Sequence, residues 1–253
     1  MYRDVRPAAK GASTASTPEV WAKTFAASTK MNSWKHFRIG TTLEAKMIRR
    51  LVPQGGRILD AGCGFGEWVA YLRSKGYRAF GCDYSSELIR RLRETYPDTE
   101  WVQTDIRNMQ IEEASVDAII SWGVIEHDEA GPASALREFH RILRPGGHAI
   151  VTVPINTPLA RASAQYLERR SGGEQTFFQY LMSTAELEEH GRNAGFEVSA
   201  SGTVPLAYVE YLSPGLVFRL PSLLYRVVNN LFWILFSWME RYRVMTYVVL
   251  RKP

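Results

Sequence analysis

Cysteine is scarce in this sequence: Cys63 and Cys82 are the only two among 253 residues. Two thiols cannot build a disulfide framework, and they cannot supply the four ligands of a structural zinc site. We therefore expect a protein of a reducing compartment that holds no metal.

Long apolar segments are also missing. The first twenty residues contain no apolar stretch of the kind that a secretory signal needs. The uncharged run between Arg226 and Glu240 has 13 residues, whereas a membrane span needs ~20. The Gly-Lys-Ser/Thr ending of a phosphate-binding P-loop does not occur. These absences argue against a secreted, a membrane-spanning or a P-loop protein, and they predict a cytoplasmic location.

The sequence does contain what a folded domain requires. Hydrophobic residues make up 45% and charged residues 23%, which is typical of a globular protein, and the length suits one substantial core. The net charge of +5 is uneven, since residues 1–59 carry +8 and the remainder −3. This basic excess could attract an anionic substrate, a nucleic acid or a membrane, or could merely solubilise an N-terminal arm.

Strand and helix patterns alternate from Arg57 onward, which indicates βαβ units and a parallel sheet covered on both faces. The pattern predicts a doubly wound α/β fold. The predicted strands are 57–61, 77–82, 100–103, 116–122, 148–153, 196–203 and 244–250, and the predicted helices are 67–75, 85–96, 133–143 and 183–194.

Four segments fall outside this pattern. Residues 1–18 are rich in Ala, Ser and Thr, and we expect a disordered tail. The rest, 19–253, should form a single domain. Within it we expect a helical lid at 19–52 and two cap insertions, 155–182 and 205–242, over the site.

A glycine-rich turn follows the first of the regular strands. The segment reads Asp60-Ala61-Gly62-Cys63-Gly64-Phe65-Gly66. Glycines let the backbone approach a ligand that any Cβ would obstruct, and the next helix presents its N–H groups there. The spacing differs from the G-x-G-x-x-G pattern of dinucleotide-binding folds.

With this turn, the sequence resembles the class I S-adenosylmethionine-dependent methyltransferases, in their small-molecule, type 11-like branch. Asp83 and Asp105 follow the next two strands, and Arg-Ile-Leu-Arg-Pro-Gly-Gly (141–147) precedes strand 148–153, as in that branch. The resemblance implies a mostly parallel seven-stranded sheet and S-adenosyl-L-methionine as the cofactor. It also implies a cofactor site made of Asp60, Ala61, Gly62, Cys63, Gly64, Gly66, Asp83, Tyr84, Asp105, Ile106 and Trp122.

Several of these residues have a second interpretation. Asp83 should accept from both ribose hydroxyls, but it could instead cap the following helix. Asp105 should meet the adenine amino group, but it could cap a short turn at 106–108. Tyr84 could lie along the cofactor or pack under a helix, and Trp122 could be a core aromatic.

The candidate base is His127, in Val-Ile-Glu-His-Asp (124–128) after the fourth strand. Methyl transfer mainly needs positioning, but transfer to a hydroxyl also benefits from a base. Glu126 could orient the imidazole ring or contact the acceptor. The competing interpretation is a loop sequence common to the whole branch.

The expected reaction is methylation of a small molecule, at oxygen. The chain lacks the Asn/Asp-Pro-Pro-aromatic run of enzymes that methylate base amines, and no cysteine lies where cytosine methylation needs one. We therefore expect no nucleic-acid partner. The acceptor should be lipid-linked or a glycan, and the alternative is a non-catalytic cofactor-binding or scaffold protein.

The segment 223–241 reads as an amphipathic helix with a wide apolar face. Three uses fit this face. It could pack on its own domain, it could line a lipid-like acceptor pocket or lie at the inner face of a membrane, or it could form a homodimer.

Overall fold

A computed structural model describes residues 1–7, 39–40, 42–170, 175–205 and 243–253. A short 3₁₀ turn, Ile125–His127, follows strand β5. The elements in chain order are β1 (Tyr2–Pro7), α1 (Leu43–Leu51), β2 (Arg57–Ala61), α2 (Glu67–Ser74), β3 (Arg78–Asp83), α3 (Ser86–Thr95), β4 (Trp101–Gln103), β5 (Val116–Trp122), α4 (Ala133–Ile142), β6 (Leu143–Pro154), α5 (Pro158–Arg170), β7 (Gln175–Leu181), α6 (Thr184–Asn193), β8 (Glu197–Pro205) and β9 (Arg243–Arg251).

The main sheet has seven strands in the order β4-β3-β2-β5-β6-β9-β8. Strands β2 to β6 pair in parallel, while β9 runs antiparallel to both β6 and β8. The strand order reverses between β2 and β5, which is where open α/β sheets form a ligand crevice at their carboxyl ends. The predicted doubly wound, mostly parallel sheet is confirmed.

Neighbouring residues of β2 contribute to opposite faces of the sheet. Ile58 packs in a cluster with residues of α1, α2 and α3. Leu59 packs in a second cluster with residues of α4 and α6. Both side chains are fully buried, as expected where helices cover both faces of a parallel sheet. The edge of the sheet at which the parallel strands end is therefore supported by a packed core on both faces.

Two predicted helix starts are confirmed. The Ser85 hydroxyl accepts from the Leu88 amide at the start of α3. At the start of α6, Ser183 and Glu186 form a reciprocal capping box. The first of these caps fixes the loop in which Asp83 lies.

The prediction of a helical lid at 19–52 is corrected where the structure describes that segment. Helix α1 buries Ala45 and Ile48 against Ile58 and Leu72, and Arg49 Nη1 donates to the Tyr71 hydroxyl at 3.2 Å. The apolar residues of α1 are therefore core residues of one sheet face. Residues 8–38 lie outside the described residues.

The prediction of a disordered tail is wrong for residues 2–7. They form β1, which pairs antiparallel with β7, with Tyr2 opposite Leu181 and Pro7 opposite Gln175. The ladder partner lies far along the chain, so no local pattern indicates this strand.

Insertion 155–182 contains α5 and β7. Most of insertion 205–242, including the segment 223–241, lies outside the described residues. In the described part of the chain, no helix has the length and apolar character needed to cross a membrane.

Candidate functional site

The glycine turn after β2 adopts backbone angles that favour glycine. Gly62, Gly64 and Gly66 have φ values of 84°, 48° and 68°, in the region that L side chains rarely occupy. A Cβ on Gly62 would lie 2.6 Å from Val124, and one on Gly66 would lie 2.4 Å from Trp101. The turn is thus packed closely on both sides.

Gly64 differs from its two neighbours because a Cβ there would meet nothing within 4 Å. Its amide donates to Asp83 Oδ2 at 3.2 Å. The amides of Gly62 and Cys63 both donate to the Cys82 carbonyl. The turn is therefore tied to the end of β3, and Gly64 leaves open the space in front of Asp83.

Asp83 is 7% exposed at the end of β3. Its Oδ1 accepts from the Ser85 amide at 2.9 Å. Burial raises the pKa of this carboxyl, and hydrogen bonds from backbone amides partly oppose the shift. Since Ser85 caps α3 itself, Asp83 is not the helix cap, and its remaining lone pairs can accept from a ligand.

Asp105 holds a tight turn and also faces the cleft. Its Oδ1 accepts from the Arg107 amide at 2.9 Å, and both carboxylate oxygens pair with the Arg107 guanidinium. Hydrogen bonds from Arg107 lower the pKa of Asp105. Asp105 therefore holds the turn at 106–108 and also lines the cleft, and its carboxylate stays ionised at neutral pH. Its contact with an adenine amino group stays a prediction.

A cleft of about 460 Å³ opens at this edge of the sheet. Seven of the predicted cofactor residues and the candidate base lie on its wall. The lining residues are Gly62, Gly64, Asp83, Tyr84, Leu88, Thr104, Asp105, Ile106, Arg107, Trp122, Gly123, Val124, His127, Asp128, Glu129 and Phe177.

Four of the predicted cofactor residues do not line the cleft. Ala61, Cys63 and Asp60 are buried, and Gly66 packs against Trp101. Burial, with the charge of nearby Asp83, raises the pKa of Asp60 to about 8. These four residues support the glycine turn from the side away from the cleft.

Two aromatic residues complete the cofactor end of the cleft. Tyr84 is 39% exposed, so it is not packed under a helix. The Trp122 ring lies 5.0 Å from the Trp68 ring, and the Trp122 Nε1 is buried with no hydrogen-bond partner among the described residues. A buried donor usually has a partner, so Trp122 suits a ligand with an acceptor group.

The residues present fit S-adenosylmethionine. Asp83 can accept hydrogen bonds from vicinal hydroxyls. Gly64 leaves room for a ligand to approach the backbone closely. The buried Trp122 Nε1 can donate to a carboxylate or another acceptor group of the ligand. Leu88 and Ile106 supply apolar contacts beside Asp105, as a purine ring requires.

His127 stands at the other end of the cleft, on the 3₁₀ turn after β5. Its Nδ1 lies 2.7 Å from the Phe178 carbonyl oxygen. Since a carbonyl only accepts, Nδ1 carries a proton, and the neutral ring has its lone pair on Nε2. The imidazole also packs edge-on against the Phe178 ring at 5.1 Å.

Glu126 lies behind His127 and does not line the cleft. It is 1% exposed, and its Oε1 is 4.0 Å from His127 Nε2. Its Oε2 meets no hydrogen-bond partner in the part of the chain that the structure describes, and burial raises the pKa of the carboxyl to about 8. Direct acceptor contact, one of its two predicted roles, does not match this position.

Sequence reasoning did not assign eight residues of the cleft wall, among them Phe177, Glu129 and Arg107. Phe177 comes from β7, inside the segment expected only as an insertion, and Glu129 follows the His127 turn. Arg107 lies two residues after Asp105, a spacing that could have indicated the ion pair. No sequence signal marks Phe177, because its place depends on a distant strand pairing.

The fold and this cleft resemble those of the class I S-adenosylmethionine-dependent methyltransferases. Residues 59–151 match the family model described as a methyltransferase domain. A probable S-adenosylmethionine-dependent methyltransferase of Mycolicibacterium smegmatis is 31% identical over 57% of this chain and 53% of its own. A ubiquinone biosynthesis O-methyltransferase of Xanthomonas axonopodis is 29% identical over 59% of this chain and 66% of its own.

A solved structure from Pyrococcus horikoshii covers 92% of this chain and 98% of its own, with a TM-score of 0.62 and 18% identity. That likeness concerns the fold alone. The chain is thus similar to the class I methyltransferases of the type 11 branch, through the domain match over residues 59–151. It spans between about half and two thirds of the length of these two curated relatives.

Proposed function

We propose that this protein transfers a methyl group from S-adenosylmethionine to a hydroxyl of a small-molecule acceptor. One observation carries the proposal. A single cleft joins the glycine turn, Asp83 and Asp105 at one end to His127 at the other. The first set suits the cofactor, and the histidine suits a proton transfer.

The cofactor supplies an activated methyl group on a sulfonium, whose departure leaves a neutral thioether. This chain's own contribution is then mainly to hold both partners in line. Asp83 accepts from the ribose hydroxyls, and Ile106 and Leu88 pack on the adenine. Asp105, kept ionised by Arg107, accepts from the adenine amino group.

Oxygen is the proposed methylated atom because His127 has the properties of a base. Nδ1 donates to the Phe178 carbonyl, so the neutral ring can take a hydroxyl proton at Nε2. The Xanthomonas relative is named as an O-methyltransferase, which supports the same choice.

The walls near His127 disfavour an acceptor with an anionic group at its reacting end, because the carboxyls of Asp128 and Glu129 also line the cleft. Val124 and Phe177 give this end apolar surface. Among the described lining residues, Arg107 is the single arginine or lysine, and it is engaged by Asp105. An anionic group of the acceptor would therefore lie outside the cleft.

Within this class we propose a lipid-linked or glycan acceptor, with the segment 223–241 in contact with a membrane surface. Support comes from the sequence of that segment, in which Arg226 and Arg241 flank an apolar run. In a flotation assay with anionic liposomes, the wild type should rise with the liposomes. A Leu231→Glu, Trp238→Glu variant that still binds the cofactor should not. Wild type that stays in the unbound fraction at low salt would exclude the membrane contact.

The reaction itself is tested with methyl-labelled S-adenosylmethionine and a panel of phenols, sugars, acyl carriers and lipid-linked sugars. Label should appear in an acid-stable methyl ether of one acceptor class. Tight cofactor binding by calorimetry, with no transfer to any member, would favour the non-catalytic alternative.

A further inference from the structure

Strand β1 pairs with β7, which contributes Phe177 to the cleft wall. The pairing of the two strands has a register shift, in which Asp4 stands opposite Gln179 and Val5 stands opposite Phe177. The register skips Phe178, so β7 carries one extra residue at this point, which is a β-bulge. Bulges are common next to active sites, where they re-aim a group of the bulged strand.

The group re-aimed here is the carbonyl of Phe178. It accepts from His127 Nδ1 at 2.7 Å, across 51 residues of sequence. The buried Asp4 carboxylate accepts from Gln179 Nε2 at 3.1 Å, directly beside the bulge. The register of β1 on β7 and the position of this carbonyl are therefore linked.

A second contact joins the same strands to the cleft wall. The Arg3 guanidinium pairs with Glu129 and lies 5.5 Å from the centre of the Phe177 ring. Glu129 and Phe177 both line the cleft. The Arg3 and Glu129 side chains are more than half exposed. Their ion pair therefore contributes little to stability, and the bulge is the stronger link between β1 and the cleft.

We propose that β1 is a positioning element of the active site: it sets the bulge in β7 that holds the Phe178 carbonyl on His127 Nδ1, and so keeps the Nε2 lone pair available as the base. The inference rests on the proposed function, in which His127 takes the acceptor proton. A free imidazole exchanges between its two tautomers, and the wrong one would leave no lone pair at Nε2.

The tautomer can be measured without any acceptor. Long-range ¹H–¹⁵N spectra of the full chain with labelled histidine, recorded where the ring is neutral, distinguish a protonated Nδ1 from a protonated Nε2. The His127 signals are assigned by their loss in His127→Gln. We expect the wild type to show a single Nδ1–H form.

The test variant is Asp4→Pro, Val5→Pro in the full chain. Alternate N–H groups of a strand face opposite edges, so the two prolines remove at least one donor that faces β7. His127 should lose its single Nδ1–H form, and kcat should fall about tenfold or more. Cofactor affinity should stay within about twofold, since Asp83 and the glycine turn lie elsewhere. If this variant does not fold, Asp4→Ala replaces it, with the same direction and a smaller effect.

A matched control is Tyr180→Phe, which removes a different hydrogen bond from β7 to the same loop, the one to the Glu129 carbonyl. It should keep the Nδ1–H form. Loss of that form in the control would show that docking of β7 alone sets the tautomer, and the proposal would be overturned. An Nε2–H form in the wild type, or an unchanged spectrum in the proline variant, would overturn it equally. A wild type with the Nδ1–H form that transfers no methyl group would instead overturn the proposed function.

Discussion

The two ends of the cleft are built from different kinds of chain segment. At the cofactor end, the turns after β2, β3 and β4 follow one another between residues 60 and 107, and backbone hydrogen bonds such as Gly64 to Asp83 join them. At the acceptor end, His127 meets Phe178 across 51 residues and Arg3 meets Glu129 across 126. The cofactor end is therefore fixed by the central sheet, and the acceptor end by a separate two-stranded sheet docked on it.

This difference suits a family that keeps one cofactor and varies its acceptor. Strands β2, β3 and β5 are bonded to neighbours along both edges, so changes there disturb the core. The β1–β7 sheet is held by its own ladder, by packing against α5 and by contacts to the loop after β5. We expect substitutions at the cofactor end to affect folding and affinity, and those at the acceptor end to affect turnover.

The largest effect should come from Gly66→Ala, which tests how rigid the cofactor end is. The new Cβ would lie 2.4 Å from Trp101 and 2.9 Å from Leu92, at a φ of 68°. Left-handed backbone costs an alanine about 1–2 kcal/mol, and overpacking adds about 1–3 kcal/mol. Urea unfolding should show a fall in the free energy of unfolding that includes both costs.

The matched control is Gly146→Ala, where φ is 77° and a Cβ would meet nothing within 4 Å. It should show the backbone cost alone. Equal losses in the two variants would mean that the packing around Gly66 yields, and the contrast in rigidity would fail.

The next largest effect should come from His127→Ala, which should act only at the acceptor end of the cleft. Removing the base should lower turnover about 10²-fold, with cofactor affinity unchanged. His140→Ala is the control, because His140 packs edge-on against Phe196 at 5.0 Å, away from the cleft. Steady-state rates and calorimetry on the same samples decide the matter. A loss below threefold would leave positioning as the whole mechanism.

Asp83→Ala should act only at the cofactor end. Hydrogen bonds to a charged group contribute about 1.5–3 kcal/mol each, so affinity for S-adenosylmethionine should fall at least about tenfold. The comparison variant is Asp128→Ala, which changes a carboxyl on the acceptor side of the same cleft and should alter affinity less than about threefold. Calorimetry that finds both variants equal to the wild type would remove Asp83 from the cofactor site.

Sequence reasoning predicted the cofactor end well for a physical reason. Asp60 to Gly66, Asp83 and Asp105 lie on consecutive strand-to-turn junctions, and such junctions are set by local hydrophobic runs and glycines. Sequence reasoning could not predict how deeply each of these residues is buried. Cys63 and Asp60 belong to the same motif as Gly64, yet only Gly64 reaches the cleft wall.

The acceptor end was predicted only in part, because its contacts are non-local. His127 could be placed from its position after β5. Strand β1 was expected to be disordered, since six residues beginning at Tyr2 carry no signal of a partner at Gln175–Leu181. Phe177 and the bulge at Phe178 follow from that pairing, so no reading of either segment alone could find them.

The last comparison concerns two buried acids, one at each end of the cleft. Burial raises the pKa values of Asp60 and Glu126 to about 8, whereas in the unfolded chain both groups titrate near pH 4. Between about pH 5 and 8 the folded protein keeps protons that the unfolded chain has released, so stability should decline as the pH rises through this window. Asp60→Asn and Glu126→Gln should each flatten that decline in urea unfolding series.

The two acids should differ in their response to Asp83. The charge of Asp83 helps to raise the pKa of Asp60, whereas burial alone raises that of Glu126. In an Asp83→Ala background, the flattening caused by Asp60→Asn should therefore shrink, while that caused by Glu126→Gln should not change. Equal responses would mean that the two ends are electrostatically coupled through the cleft, and the division into two independently built halves would have to be given up.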